Sequence, residues 1–478
     1  MNILFCNFDE EWHKDLIGST AREVGAESVV TITTRYHDLS EYTESNCWIP
    51  SDDFNQKRYD FMKDKVLPPL DTKLIEELRW CESLYYPMLD RMEVDILKSV
   101  TYHQRKRYYE NDLRCMLWIL EQHKIDLVVF YTIPHISFDY ALYGVCKAKG
   151  IPMVMGYFSV MVPHRAATVY FLSEIQDHMP QLQGFKPQGL AEEQIHLPER
   201  MQSYYDHYAR DKSQVKSFIF YSDYANYKTS KLQRVTNLVL SKFRQRSFFR
   251  TVRRKIVQHF NAKRLGKYLS KYSSAGAEGK YIYYPLHYQP ECTSLPMGGV
   301  YYDQLHVLRL LSKLLPDDVT VYVKPHPNRN LLTGESFYEE IRSLRNVKLV
   351  SSNANTYELI DNALAVVSLT GTAILESLIR GTPAMMFGYY IWQYAPNVFH
   401  CVNEEDCKEA IDRLCSGYQY DKAAFMEFLC ELDKHLVDGV MSDVLFDLYS
   451  IPLEDNIRNI KDSLVAYIRK VTDGETAQ

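Results

Sequence analysis

The sequence predicts an α/β protein with two Rossmann-like lobes, a helical basic insertion and a helical C-terminal tail. The chain has 478 residues, more than one hydrophobic core usually supports. Strand and helix patterns alternate at the spacing of parallel crossovers in two stretches, and a basic stretch lies between them. We therefore expect a first lobe with a helical insertion at 1–223, a basic amphipathic helical segment at 224–277, a second lobe at 278–403 and a helical tail at 404–478.

The first lobe shows one clear strand–helix–strand unit. An apolar strand opens the chain at 3–8, and a long, partly helical insertion follows it. The unit itself consists of a buried strand at 125–131, a helix at 137–149 with a serine N-cap and a glycine stop, and a strand at 153–155. This order is typical of a parallel crossover.

The net charge of −6 for the whole chain does not reveal a strongly basic segment between the two lobes. Residues 224–277 contain fourteen Lys or Arg and no acidic residue, so the rest of the chain is near −20 (41 basic against 61 acidic). Apolar residues recur among the arginines at helical spacing. Two interpretations remain open: attachment to an anionic membrane surface, or a solvated helical connector. Nucleic-acid binding is disfavoured, because the segment shows no known module and the remainder is acidic.

The second lobe alternates strands and helices without interruption. Its predicted strands are 281–284, 319–323, 347–350, 364–368 and 384–387, and its predicted helices are 303–315, 335–344, 356–362 and 373–380. Five strands with intervening helices predict a doubly wound sheet.

Bulk features predict a cytoplasmic protein. No run of about 18 apolar residues exists, which argues against a membrane-spanning helix. The N-terminus has the pattern of a strand rather than of an export signal. The ten cysteines are scattered, without C-x-x-C pairs, as expected for reduced thiols.

Polar residues follow three strands of the second lobe, where open α/β sheets bind their ligands. After the first strand come His287, Gln289 and Glu291, and then the pair Gly298 and Gly299, whose missing side chains permit close approach to a phosphate. After the second strand come Lys324, His326 and Pro327. Two cationic donors beside a stiff proline can neutralise a diphosphate without a metal.

The third turn follows the strand at 364–368. Ser368, Thr370, Gly371 and Thr372 lead into a helix, where hydroxyls and unpaired N–H groups form an anion site. Glu376 lies one turn further and can accept from ribose hydroxyls. The simpler alternative makes Thr372 an N-cap and Glu376 a first-turn acid. No D-x-D element is present, so we expect no metal and no other cofactor.

Candidate catalytic residues lie mainly in the first lobe. His135 and Asp139 follow its buried strand, four residues apart at a helix start, where either can deprotonate an acceptor hydroxyl. Glu291 is the candidate from the second lobe. Asp9 and Glu10, after the first strand, are rival bases. A helix-start cap and acid is the alternative explanation for Asp139.

Together, PLHYQPE (285–291), VKPHP (323–327) and SLTGTAILESLIRGTP (368–383) resemble bacterial capsule and surface-polysaccharide biosynthesis proteins, including the Kdo-transferase-like group with GT-B folds. PHISFDYALY (134–143) in the first lobe agrees with this resemblance. The His-Pro pair and the Ser/Thr turn are also similar to the elements that hold the CMP moiety in bacterial sialyltransferases and polysialyltransferases.

The resemblance implies a GT-B glycosyltransferase whose two lobes face a cleft. His326 and Pro327 would then contact the donor phosphate or ribose, the Ser/Thr turn the phosphate, and Glu376 the ribose. The acidic D/E-D/E-G motif of sialyltransferases is absent, which favours a donor such as CMP-Kdo or another CMP-ulosonic acid over a sialic acid donor. The implied partners are this nucleotide-sugar and an oligosaccharide or lipid-linked glycan acceptor.

Three other functions remain open at this point. A CDP-alcohol-dependent polyol-phosphate transferase and a sugar-nucleotide epimerase are built on the same fold. The third alternative is a non-catalytic scaffold in a capsule-assembly complex.

Overall fold

The computed structural model describes residues 1–92, 100–162, 166–210, 248–289, 291–326, 334–442 and 451–473. The chain forms two compact units. Unit 1 consists of Met1–Gln181 and His435–Gln478, and unit 2 is Leu182–Lys434. This division differs from the predicted boundaries at 223, 277 and 403, because the end of the chain returns to unit 1 and the described part of the basic segment packs within unit 2.

Thirteen strands lie in the described residues. In chain order they are β1 (Asn2–Cys6), β2 (Ser28–Thr33), β3 (Asn46–Pro50), β4 (Leu127–Phe130), β5 (Met153–Val162), β6 (Ala166–Leu172), β7 (Lys280–Pro285), β8 (Val319–Lys324), β9 (Val347–Leu349), β10 (Ala365–Ser368), β11 (Ala384–Met386), β12 (Val398–His400) and β13 (Val437–Asp438).

The α-helices of the same residues run between and around these strands. They are α1 (His13–Glu23), α2 (Ser51–Asn55), α3 (Thr72–Glu77), α4 (Arg79–Met92), α5 (Tyr102–Gln122), α6 (Ser137–Lys149), α7 (Glu199–Ala209), α8 (Phe248–Tyr272), α9 (Gln304–Leu314), α10 (Glu335–Ser343), α11 (Thr356–Asp361), α12 (Thr372–Ile379), α13 (Glu404–Cys415), α14 (Lys422–Asp433) and α15 (Leu453–Thr472). None of these helices is both long and apolar enough to cross a bilayer.

Unit 1 is built on a sheet of order β13-β6-β5-β4-β1-β2-β3. Strands β1 to β5 pair in parallel with one another, and β6 pairs antiparallel with both of its neighbours, β5 and β13. The apolar stripe of α15, formed by Ile460, Leu464 and Ile468, packs with α1 on this sheet. The parallel part has the doubly wound order 3-2-1-4-5, with its switch point between β1 and β4.

Unit 2 is built on a wholly parallel sheet of order β12-β11-β10-β7-β8-β9. Helices α8, α9, α10 and α13 pack on one face, and α11 packs on the other. The order 3-2-1-4-5-6 places the switch point between β7 and β10, where ligands of such sheets bind.

The predicted fold class is confirmed, with one Rossmann-like sheet in each unit. All five strands predicted for the second lobe exist, within two residues at each end. The sequence analysis missed five strands. Strands β2 and β3 lie in the assumed insertion, β12 and β13 are too short for a periodic signal, and β6 pairs antiparallel with β5 after the predicted crossover. The expected serine N-cap of α6 was wrong, because Ile136 has the extended N-cap backbone and the first helical turn begins at Ser137. Gly150 does end this helix in the left-handed conformation, with φ of 65°.

Candidate functional site

The switch point of unit 2 joins two of the three predicted turns. Strand β7 ends at Pro285 and β10 ends at Ser368, and the two strands are neighbours in the sheet. His287 lies two residues beyond β7. Its ring therefore reaches the end of β10, which the sequence separates from it by more than eighty residues.

The imidazole of His287 holds the turn that follows β10. The Leu369 backbone N–H donates to His287 Nε2 at 3.2 Å, so this nitrogen carries no proton. The Ser368 hydroxyl lies 2.8 Å from the same nitrogen and donates to it. The Gly371 N–H in turn donates to the Ser368 oxygen at 3.2 Å. This chain of hydrogen bonds links the ring to the first residue before helix α12.

His287 is neutral at physiological pH. Burial lowers the pKa of its imidazole to about 4, and the neighbouring His326 adds to the effect. The backbone of His287 is also held in place, since its N–H donates to the Gln304 side-chain oxygen at 2.8 Å. A neutral, rigidly held ring organises the turn without adding a charge to it.

Helix α12 begins at this turn as an uncapped helix. Gly371 is its N-cap, no side chain caps it, and its first turn carries no acidic residue. Thr372, the first helical residue, is exposed. A helix start without a side-chain cap and with an exposed hydroxyl is suited to binding an anion, because the helix dipole and the N–H groups of the first turn both favour negative charge.

His326 lies beside the same switch point. Its ring centroid is 5.6 Å from that of Tyr288, and the two imidazoles of His287 and His326 are near enough to influence each other's charge. A small cavity at the ends of β7 and β8 is lined by His287, Gln289 and His326, among other residues. Pro327 lies outside the described residues.

Lys324 does not join this group in the way the sequence suggested. Its buried ammonium donates to the Ala354 carbonyl at 2.8 Å and to the Thr356 hydroxyl at 2.7 Å, at the start of α11. As the last residue of β8 it points to the opposite face of the sheet from Val323. The structure therefore gives Lys324 and His326 different surroundings, and their joint contact with one phosphate stays a prediction.

Glu376 lies on the same side of the sheet as Lys324. Burial and, after it, the Glu376 carboxylate raise the pKa of Tyr357 to about 12, and the same two causes raise the pKa of Tyr283 on β7. Glu376 is partly buried one turn into α12, as predicted from its spacing to Thr372.

The remaining residues of the first turn build its framework. Gln289 donates its side-chain amide to the Tyr302 carbonyl. The carbonyl of Glu291 accepts the N–H groups of Ser294 and Leu295, at 3.0 and 2.7 Å.

The two glycines and Thr370 have a packing reason in the structure, and their phosphate contact stays a prediction. A β-carbon on Gly298 would lie 2.4 Å from the Ser294 carbonyl oxygen, and Gly299 has a φ of +52°. Thr370 donates its hydroxyl to the Thr293 carbonyl at 2.7 Å and so ties the β7–α9 loop to the turn after β10.

The candidates of unit 1 lie at its own switch point. His135 donates Nδ1–H to the Ile133 carbonyl at 2.7 Å, a hydrogen bond that selects the tautomer in which Nε2 can accept a proton. Asp139 is buried, and its carboxylate accepts from the Ile136 N–H at 2.8 Å and from the Asn7 amide at 2.9 Å. Asp139 therefore has the capping geometry that was the alternative explanation, and its role as a base stays a prediction.

The two rival acids after β1 also have local partners. Asp9 accepts from the Thr34 N–H at 2.7 Å, and Glu10 accepts from the Ser442 hydroxyl at 3.4 Å.

Two residues at the switch points were missed by the sequence analysis. Tyr288 is 37% exposed beside His326, and its position between two selected residues was a usable signal. Asn7 follows β1 in the left-handed conformation with φ of 66°, a backbone strain that often marks functional sites. An asparagine directly after a buried strand is the signal for it, because asparagine tolerates this conformation.

The described residues contain no group of three His, Cys, Asp or Glu side chains that could hold a metal ion. All ten cysteines lie in the described residues, and none of them forms a disulfide bond.

Comparison with solved structures finds chains of low similarity. A UDP-GlcNAc 2-epimerase from Methanocaldococcus jannaschii is 10% identical and has a TM-score of 0.27, with 91% of this chain and 99% of that chain covered. A glycosyltransferase from Rickettsia africae is 10% identical with a TM-score of 0.26, covering 98% of both chains. KpsC, a beta Kdo 2,7 transferase from Thermosulfurimonas dismutans, is 10% identical with a TM-score of 0.29, covering 72% of this chain and 87% of that chain. At these TM-scores the similarity to the three structures does not support any conclusion about this chain.

No curated protein matches the chain, but one protein family does. Residues 183–395 match the family described as capsule polysaccharide biosynthesis protein, a stretch that contains His287, His326 and the whole Ser368–Thr372 turn. Over the part of unit 2 that carries the candidate site, the chain is therefore similar to capsule polysaccharide biosynthesis proteins, as its motifs predicted.

Proposed function

We propose that the protein is a GT-B glycosyltransferase of capsule or surface-polysaccharide biosynthesis, which transfers a sugar from a nucleotide-activated donor to a growing glycan. The observation that carries the proposal is the turn after β10, where neutral His287 holds Ser368 and Gly371 at the start of uncapped helix α12. The turn lies at the switch point of a doubly wound sheet and inside the stretch similar to capsule biosynthesis proteins.

The chemistry of glycosyl transfer requires a site for an anionic leaving group. When the bond from the sugar to the nucleotide phosphate breaks, negative charge develops on the phosphate oxygens. In our proposal the N–H groups and the Thr372 hydroxyl at the start of α12 bind these oxygens, and His326 donates a further hydrogen bond. His287 is a positioning residue, since it holds the turn rather than the ligand.

The donor is proposed on the resemblance of the motifs. A CMP-linked ulosonic acid such as Kdo agrees with the His-Pro pair and the Ser/Thr turn. Tyr288, with its exposed face beside His326, offers a surface on which a pyrimidine can stack. We propose a glycan or lipid-linked glycan as the acceptor, and His135 as the candidate base, because its Nε2 is the unprotonated nitrogen.

The proposed reaction needs no resident metal ion, because helix N–H groups, hydroxyls and an imidazole supply the stabilisation of the leaving group. Transfer in the presence of EDTA should equal transfer with added Mg²⁺. A requirement for Mg²⁺ or Mn²⁺ would contradict this part of the proposal.

We also propose an anionic membrane surface as a partner, because residues 224–277 combine fourteen basic residues with no acidic one.

A thermal-shift screen with CMP, CDP, UDP, GDP and dTDP tests the nucleotide site. A nucleotide at about 100 times its dissociation constant stabilises the folded protein by roughly 2.7 kcal/mol. We expect one base to act selectively, His326→Ala to lose the response, and His306→Ala to keep it, since His306 is an exposed histidine on the outer side of α9. The proposal fails if no nucleotide acts or if His326→Ala responds like the unmodified protein.

The reaction type is tested with the donor that carries the selected nucleotide. Release of nucleotide that depends on added acceptor glycan supports transfer. Conversion of the donor sugar without any acceptor would instead indicate epimerisation.

A further inference from the structure

Helix α8 exposes large apolar side chains within a strongly basic sequence. Ile256 is 52% exposed and Phe260 is 65% exposed, and they lie four residues apart on one face of the helix. Lys263 and Lys267 continue the same stripe at helical spacing, and both are exposed. Neither lysine has an ion-pair partner within the described parts of the chain.

The opposite face of α8 is anchored to unit 2. Leu265 and Leu269 are buried in the main core of that unit. Tyr268 accepts a hydrogen bond from Arg342 at 3.1 Å. The outward direction of Ile256 and Phe260 is therefore determined by the packing of the inner face, and they do not belong to the core.

The charge of α8 selects the kind of surface that can cover these residues. The helix contains eight Lys or Arg and no Asp or Glu. One of the eight, Arg264, is paired with Glu335 at 2.8 Å. The helix has no Asp or Glu, and its apolar stripe is continued by lysines. Such a surface is complementary to a lipid leaflet, which has anionic headgroups outside and apolar chains beneath them.

We infer that α8 lies in the interface of an anionic lipid membrane, with Ile256 and Phe260 inserted below the headgroups and Lys263 and Lys267 contacting the phosphates. This inference specifies the membrane partner proposed above but does not depend on transferase activity. It gives the basic segment a defined contact surface and would hold unit 2 at the leaflet that carries a lipid-linked acceptor.

Flotation of the full-length protein with liposomes tests the inference. Vesicles of phosphatidylcholine alone are compared with vesicles that contain 30% phosphatidylglycerol. The main variant is the double substitution Ile256→Ser and Phe260→Ser. Its matched control is Val66→Ser with Ile75→Ser, two apolar residues of unit 1 that are 93% and 41% exposed.

We expect flotation only with the anionic vesicles, and a partition coefficient about tenfold lower in the main variant than in its control. Lys263→Gln with Lys267→Gln should lower it by a factor of about five per lysine, with the difference vanishing in high salt. Circular dichroism and nucleotide-induced thermal shifts should be unchanged in all variants, which separates this test from that of the proposed function.

Three results would overturn the inference. The first is equal flotation of the main variant and its control. The second is equal flotation with neutral and anionic vesicles. The third is the absence of flotation together with another use of this face, shown either by self-association through the same apolar pair in sedimentation or by binding of duplex DNA through the same lysines.

Discussion

The contact between Gly371 and His287 makes Gly371→Ala the most informative single substitution. An added β-carbon would lie 3.0 Å from His287 Cε1 and 3.1 Å from the Ser368 hydroxyl oxygen. Carbon atoms pack best at about 3.5–4.0 Å, so the ring and the hydroxyl must retreat by roughly half an ångström. The backbone itself is not strained, since φ of Gly371 is −66°.

The retreat breaks the hydrogen bond of 2.8 Å between Ser368 and His287. Losing one such bond costs about 0.5–1.5 kcal/mol, and overpacking adds about 1–3 kcal/mol. We therefore expect the free energy of unfolding of unit 2 to fall by about 2–4 kcal/mol. Because the first N–H groups of α12 move with the turn, nucleotide affinity should fall by about tenfold or more, as each hydrogen bond to a charged phosphate is worth about 1.5–3 kcal/mol.

Gly334→Ala is the matched control for this substitution. Gly334 is also the N-cap of a helix in unit 2, with φ of −80°, and the nearest atom to an added β-carbon is 3.9 Å away. The intrinsic cost of alanine at an N-cap is thus the same in both variants. Denaturant unfolding and calorimetric titration with the selected nucleotide measure the two effects. Equal nucleotide affinity of the two variants would refute the assignment of the anion site to this turn.

Three further outcomes follow from buried groups. Burial lowers the pKa values of His13, His178 and His287 to about 3, 3 and 4, so they stay neutral while the unfolded chain takes up protons below its histidine pKa of about 6.5. The free energy of unfolding should be highest above pH 6.5. Towards pH 4 each of the three histidines should lower it by up to about 1.4 kcal/mol per pH unit, and a flat profile in denaturant titrations would contradict this. Lys324→Met should destabilise by about 1–3 kcal/mol yet change nucleotide affinity less than twofold, and a large loss of affinity with little loss of stability would support its predicted phosphate role instead. Asp139→Asn should cost about 1–2 kcal/mol of stability and leave kcat within roughly fivefold, whereas a loss of several orders of magnitude in a transfer assay would make it the base.

The sequence predicted the fold class and most of unit 2 because its helices and strands have strong local periodicity. Strands such as β7 and β8 are rich in Tyr and Val, and α12 begins directly after Gly371. The three-residue β12 and the antiparallel β6 escaped prediction, since their pairing depends on neighbours that are distant in the chain.

The sequence by itself determined which chemical groups stand at the ends of the second set of strands: imidazoles, hydroxyls, a lysine and a glutamate. Only the tertiary structure decided which of them meet. His287 contacts Ser368 because β7 and β10 are neighbours at the switch point, whereas Lys324 turns to the start of α11 because side chains alternate across a strand. Strand order and the face of each side chain depend on long-range pairing, which local sequence patterns do not encode.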